Sequence, residues 1–181
     1  MDTMTLPDQA EMRRSILDDL DGGFTLMVMT YQPGIYSGAL RLTRHHDDAQ
    51  EIAQDTFLRA YRALETYDDD QVATLAFRPW LWTIALNLCR NRVRRSRGTS
   101  PLPSEETISV LDEDPFDEEG WNDRFAKLTV TQRTAVVLRH VVDLPIIEIA
   151  EITGRPTGTV KADISRGLDR LRTIINGEDH R

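Results

Sequence analysis

The sequence predicts an all-α protein built as two small helical domains joined by a flexible acidic linker. Three observations predict it. Apolar residues recur at three- and four-residue spacing in two separate stretches, the signature of amphipathic helices. Between them, residues 98 to 121 keep no apolar period and are punctuated by Gly98, Pro101, Pro103 and Pro115. No segment carries a strand signal of any weight.

The elements follow in order. Residues 1 to 23 read as an acidic extension, with Asp2, Asp8, Glu11, Asp18, Asp19 and Asp21 set against Arg13 and Arg14. The first domain then spans residues 24 to 97. Within it Ile52, Ala53, Thr56, Phe57, Ala60 and Leu64 share one face of a helix from about Asp47 to Glu65, and Gln50, Glu51, Gln54, Asp55, Arg59 and Arg62 share the other. Tyr67 to Asp70 read as a loop. Pro79 suits the first position of the next helix, where its missing N–H costs nothing, and that helix ends near Arg97, before Gly98. The linker over 98 to 121 has acids that repel one another; as a free coil it spans roughly 27 Å and fully extended about 80 Å. The second domain, residues 122 to 177, opens with the apolar set Phe125, Leu128, Val136, Val137 and Val141. A short helix around Ile146 to Ile152, a turn at Gly154, and a longer helix from about Thr157 to Ile175 with Val160, Ile164, Leu168 and Leu171 as its stripe make a helix-turn-helix pattern. A helical hairpin with a solvated face competes with that reading.

Charge is segregated along the chain. The protein carries a formal net charge of -8, yet no Asp or Glu occurs from Gln71 through Ser104. Within that interval a run of aromatic residues from Phe77 to Trp82 gives way to Arg90, Arg92, Arg94, Arg95 and Arg97. Rings stack on unstacked bases while guanidiniums hold phosphates, so this island points to a nucleic acid. The competing reading is a packed aromatic face ending in a solvated arginine run. In the second domain the start of the last helix offers Thr157, Thr159, Lys161, Ala162, Ser165 and Arg166, short polar groups and cations of the kind that reach base edges and phosphates in a major groove.

The remaining features exclude other classes. The single cysteine, Cys89, makes no internal disulfide. Met1 is followed by acids and polar residues, so no signal peptide is expected, and the longest apolar runs are too short to span a bilayer. A cytoplasmic protein without membrane insertion follows. His45, His46, Cys89 and His140 fit no compact ligand spacing, so no metal and no cofactor are expected. No paired carboxylates, nucleophile elbow or phosphate-cradling glycine loop appears, so no enzyme activity is expected.

Three motifs, taken together, resemble a known family. Ala49-Gln50-Glu51-Ile52-Ala53-Gln54-Asp55-Thr56-Phe57 is similar to the core-polymerase-binding helix of the extracytoplasmic-function (ECF) group of alternative sigma factors, in the sigma-70 family. Phe77, Trp80-Leu81, Ile84-Ala85 and Asn87 resemble its promoter-melting segment, and the arginines that follow resemble its basic tail. Leu128 to Arg133, Glu148 to Gly154 and Gly158-Thr159-Val160-Lys161 resemble its −35-reading domain. The resemblance implies a sigma2-like first domain and a sigma4-like second domain. It also implies a subunit that binds core RNA polymerase through its largest and second-largest subunits, directs it to promoter DNA and helps open that DNA. Glu51, Gln54, Asp55 and Arg59 would bind core polymerase. Asp68, Arg78, Trp80, Asn87, Arg90, Asn91, Arg94 and Arg95 would bind and melt the −10 element, with Arg92 also on its phosphates. Arg155, Thr157, Thr159, Lys161, Ser165 and Arg166 would read the −35 element. The linker would thread into the basic RNA path of polymerase, and an anti-sigma protein is an implied partner. The chain stops shortly after the last helix, so no fused C-terminal regulatory domain is expected. Two departures stand out: Gln50 where the family usually has an acid, and Ala162-Asp163 where it commonly has Ser-Arg. A conventional helix-turn-helix regulator acting without polymerase, and a helical RNA-binding adaptor, are the alternative classes.

Overall fold

The computed structural model describes residues 8–98 and 120–178. Among them every regular element is helical: α1 Gln9–Asp18, α2 Leu20–Thr43, α3 His46–Leu64, α4 Asp69–Thr74, α5 Phe77–Gly98, α6 Trp121–Ala126, α7 Val130–Val136, α8 Ile146–Thr153 and α9 Thr157–Glu178. α7 runs on into a π turn over Val137–Val141, closed by the Val142 N–H donating to the Val137 carbonyl at 3.0 Å. The acidic linker expected over 98 to 121 lies outside the described residues apart from its ends, and α6 already begins at Trp121.

Local chemistry sets several boundaries. Asp68 accepts the Gln71 N–H at 2.8 Å while the Gln71 side chain accepts the Asp68 N–H at 3.0 Å, so the segment read as a loop instead ends in a capping box that starts α4. Thr129 and Gln132 repeat the device at the start of α7. α8 ends at Gly154, whose φ of 67° is left-handed and suits a residue without Cβ.

In the N-terminal part, α2 is the central rod, with α1 and α3 packed along it and α5 crossing both α2 and α3. Met27, Ile35 and Ala39 from α2 meet Ile52, Phe57 and Ala60 from α3 and Leu81, Ala85 and Leu86 from α5, all buried. The reading of residues 1 to 23 as an extension needs correction for its described part. Met12 and Ile16, one helical turn apart on α1, enter the same core, and Met12 is 0% exposed. Arg13 donates to the Val72 carbonyl at 3.3 Å and the Leu75 carbonyl at 3.1 Å, and its guanidinium lies 6.0 Å from the Phe77 ring. The acids that dominate this segment's composition are partly helix caps. Asp8 accepts the Glu11 N–H, and Asp19 accepts the N–H groups of Asp21 and Gly22. Charge counting hid two apolar residues with the right spacing.

In the C-terminal part, Phe125, Leu128, Val136, Val137, Leu138, Leu144, Ile149, Val160, Ile164 and Leu171 form the buried interior. α9 approaches α7 closely at Gly167, where a Cβ would sit 2.6 Å from Val136 Cγ2.

The two parts pack on each other. α5 lies against α8, and α2 lies against α6 and the π turn. At Gly38 the Trp82 ring occupies the place a side chain would take, with Val142 Cγ2 3.2 Å from a Cβ built there. Arg41 donates to Asn122 Oδ1 at 2.9 Å, and Arg133 donates to the Leu42 carbonyl at 3.3 Å.

Because Met12 is part of the core, Met12→Ala is expected to lower unfolding free energy by about 2–5 kcal/mol in a urea titration. An unchanged midpoint would show that α1 is dispensable.

Candidate polymerase and nucleic-acid interface

Three solvent faces carry the residues singled out from the sequence. On α3, Ala49, Ile52, Ala53, Thr56, Phe57 and Ala60 turn inward, which forces Glu51, Gln54, Asp55 and Arg59 outward, and all four are exposed. Leu58 stands among them, 48% exposed, and periodicity overlooked it because an apolar residue off the buried stripe was not sought. Glu51 is also engaged by Arg92 of α5, which pairs with Asp48 at 3.2 Å. Arg92 is therefore turned toward α3, away from the other arginines' solvent face.

On α5 the inward residues Leu81, Ala85, Leu86 and Cys89 leave Asn87, Arg90, Asn91, Arg94 and Arg95 exposed along one side of the helix. Trp80 begins this side half-buried, its ring 6.0 Å from the Tyr67 ring. Trp82, the other indole in the run, is only 2% exposed and belongs to packing. Asp68 is exposed but caps α4, so its carboxylate is already committed to a backbone N–H. Arg78 is half-buried near Tyr31, whose hydroxyl pKa burial raises and Arg78 partly lowers. Burial pushes the Cys89 thiol up to about 12, against the opposing effects of a backbone hydrogen bond and the Arg90 charge.

On α9, Thr157, Lys161, Ser165 and Arg166 are exposed and Thr159 is half-buried. Asp163, one of the two departures from the family pattern, faces inward at 5% exposure. It accepts from Arg155 and, at 3.4 Å, from Arg166. A buried carboxylate thus ties the turn to the helix and sets the direction of two cations. Sequence alone left its orientation open, since helical position next to Ala162 and Ile164 does not say which neighbour reaches it.

Of the α5 residues singled out, Arg78 alone lines a cleft shared with the start of α9, together with Asp143 and Glu148. A space of about 990 Å³ is lined by Arg78 from the first part and by Thr157, Lys161 and Arg139 from the second. Among the described residues no three His, Cys, Asp or Glu side chains gather as a metal site, and no helix is long and apolar enough to cross a membrane.

Comparison with known proteins decides the family. The model of Sigma-70 region 2 matches residues 27–99, and that of Sigma-70 region 4 matches residues 122–171. The ECF RNA polymerase sigma factor SigW of Bacillus subtilis is 32% identical over 82% of this chain and 87% of its own length. The chain belongs to the ECF group of the sigma-70 family. It is an alternative RNA polymerase sigma factor. The ECF sigma-E factor of Haemophilus influenzae is 28% identical over 94% of the chain and 96% of its own length. Two solved structures share the fold. The chain of CnrH, solved with the cytosolic domain of CnrY, matches with TM-score 0.68 at 21% identity over 94% of this chain and 97% of its own. Sigma factor RpoE of Bartonella quintana, solved with the anti-sigma factor NepR, matches with TM-score 0.65 at 23% identity over 84% of this chain and 96% of its own. Sigma factors are not catalysts in the chemical sense, so the family assigns no enzyme activity to this chain.

Two outcomes are expected from these geometries. Asp163→Ala removes the acceptor for both arginines and is expected to cost about 1–3 kcal/mol of stability in denaturant unfolding. The Cys89 thiol, protonated far above neutral pH, is expected to resist alkylation at pH 8 in the folded sigma factor and to react once unfolded, as mass spectrometry would read.

Proposed function

We propose that the exposed face of α3 docks this sigma factor onto the largest subunit of core polymerase through Glu51, Gln54, Asp55, Leu58 and Arg59. The second-largest subunit is the proposed seat of the C-terminal domain. The α5 stripe captures the −10 element: Trp80, near Arg78, receives an unstacked base, and Asn87, Arg90, Asn91, Arg94 and Arg95 hold the adjoining strand. Unstacking costs a few kcal/mol, so it needs an aromatic surface and cations presented together. Thr157, Thr159, Lys161 and Ser165 read the −35 element in the major groove, with Arg155 and Arg166 aimed by Asp163. The observation that carries the reading is the α5 stripe, five polar and cationic side chains exposed in register beyond a half-buried indole.

The closed packing supports a further part of it. Arg78 shares a cleft with Thr157 and Lys161, whereas DNA elements several helical turns apart are separated by about 34 Å per turn. The two domains must part before both elements are engaged, and core polymerase is the proposed agent. Free protein is therefore expected to bind promoter DNA weakly. An anti-sigma protein is the proposed regulator, the solved RpoE relative being bound to one, and the cytoplasm is the proposed compartment.

Asp55→Ala is expected to abolish holoenzyme formation, read by co-purification with core polymerase and promoter-dependent run-off transcription, while circular dichroism stays unchanged. Tight, polymerase-independent binding of a duplex operator by the wild-type protein would instead favour a conventional helix-turn-helix regulator.

A further inference from the structure

The connection between α3 and α5 runs through α4, a helix of six residues, too short to be stable without outside contacts. Its start is secured locally by the Asp68–Gln71 capping box, and Asp69 and Asp70 suit the positive end of the helix dipole. Its other end has no basic residue of its own. The cation that this end lacks comes from α1. Arg13 lies 59 positions from Val72 and 62 from Leu75 in the chain. Its Nε donates to the Val72 carbonyl at 3.3 Å and its Nη2 to the Leu75 carbonyl at 3.1 Å. Two donors of one planar group thus hold two carbonyls where α4 ends, a fork that a lysine does not reproduce. The guanidinium also lies 6.0 Å from the ring of Phe77, the buried first residue of α5. Met12 and Ile16, both buried, anchor the helix that carries it.

What Arg13 holds is the frame of the proposed −10 surface. Tyr67 precedes α4 and Trp80 follows it, with their rings 6.0 Å apart, and Arg78 lies in the chain between Leu75 and Trp80. α4 closes the segment between the two rings, so a shift of its C-terminal end moves Arg78 and Trp80 relative to Tyr67. A recognition site works only while its groups stay within about 0.5 Å of the productive geometry, which its supporting contacts must enforce. We propose that Arg13 is a positioning residue for −10 recognition: through one guanidinium, α1 sets the geometry in which Arg78 and Trp80 meet an unstacked base. The inference rests on the reading of α5 as the −10 surface. It gives the N-terminal segment a share in promoter discrimination, where composition pointed only to an acidic extension. Arg14, the neighbouring cation, is exposed and donates to the Ala10 carbonyl of its own helix at 3.4 Å, so it takes no part.

Arg13→Met is the test, because methionine is a good helix former and leaves an apolar stem beside Phe77 while both hydrogen bonds and the charge go. In the full chain, amide exchange at Val72 and Leu75 is expected to quicken about tenfold, the loss of charged hydrogen bonds, while Ala60 of α3 exchanges as in wild type. The functional readout is run-off transcription by reconstituted holoenzyme. Its template is a promoter mapped with wild-type holoenzyme on host genomic DNA, compared with single substitutions in the −10 and −35 elements. A substitution at a −10 position that is read is expected to cost wild type about tenfold and Arg13→Met only about twofold. The −35 penalty is expected to stay the same, since a merely less stable protein lowers all promoters alike and leaves such ratios untouched. Arg13→Lys keeps the charge and one donor; it is expected to fall between the two, and it decides the matter if Arg13→Met does not fold. Arg14→Ala is expected to match wild type. An unchanged −10 penalty in the Arg13 variants, an equal shrinkage of both penalties, or the same loss in Arg14→Ala would each overturn the proposal. Trp80→Ala in the same assay separates it from the reading it rests on. If Trp80→Ala loses −10 discrimination while Arg13→Met keeps it, the role of Arg13 alone fails. If Trp80→Ala keeps it too, the −10 reading fails and the role of Arg13 with it.

Discussion

The seat of Trp82 on Gly38 governs the arrangement of everything around it. The indole is nearly inaccessible, and it lies where any larger residue of α2 would place its first side-chain atom. Such a close approach fixes the rotation of α5 about its own axis. With Trp82, Leu81, Ala85 and Cys89 directed inward, Asn87, Arg90, Asn91, Arg94 and Arg95 are exposed on the other side of the helix. Val142 from the C-terminal part joins the same contact. One glycine therefore orients the basic helix and also receives the second domain.

Electrostatics then sorts the cations by what they can still do. Arg92 is absorbed by Asp48 and Glu51, so the arginine tail is not a uniform comb of phosphate hooks. Arg155 and Arg166 converge on Asp163 from different sides. A buried carboxylate is weak evidence of stability, since desolvation offsets much of the attraction. Its clear effect here is geometric: it restricts the guanidiniums to a few directions before any nucleic acid arrives, which lowers the ordering entropy of binding. The surplus acids of the chain thus coexist with cationic surfaces by being placed in caps, in pairs and in the segment between the domains.

The closed packing has a thermodynamic side. Interfaces between domains of one chain are commonly small and polar enough to separate, and this one mixes the Trp82 and Val142 contact with hydrogen bonds from Arg41 and Arg133. If the domains part on docking, as proposed, part of the docking energy goes into that separation. The exposed α3 face is not among the elements that chiefly pack across the junction, so the proposed docking and the proposed opening are separable.

By itself the sequence determined the class of the fold and four of its helices, because three- and four-residue periodicity, capping residues and glycine stops act over a few neighbours. It placed α3, α5, α8 and α9 to within a few residues. It also picked out side chains of α3, α5 and α9 that prove exposed on common faces, since a buried stripe dictates what lies opposite. Family resemblance rested on the same local motifs. Tertiary structure alone decided the rest. It drew α1 into the core through Met12, buried Asp163 between two arginines and diverted Arg92 to α3. It also laid the two domains together around Gly38. Those outcomes depend on contacts between residues far apart in the chain, such as Arg133 with Leu42 and Gly38 with Val142. No local pattern encodes them, because the partner is chosen by shape and charge only after the helices have packed.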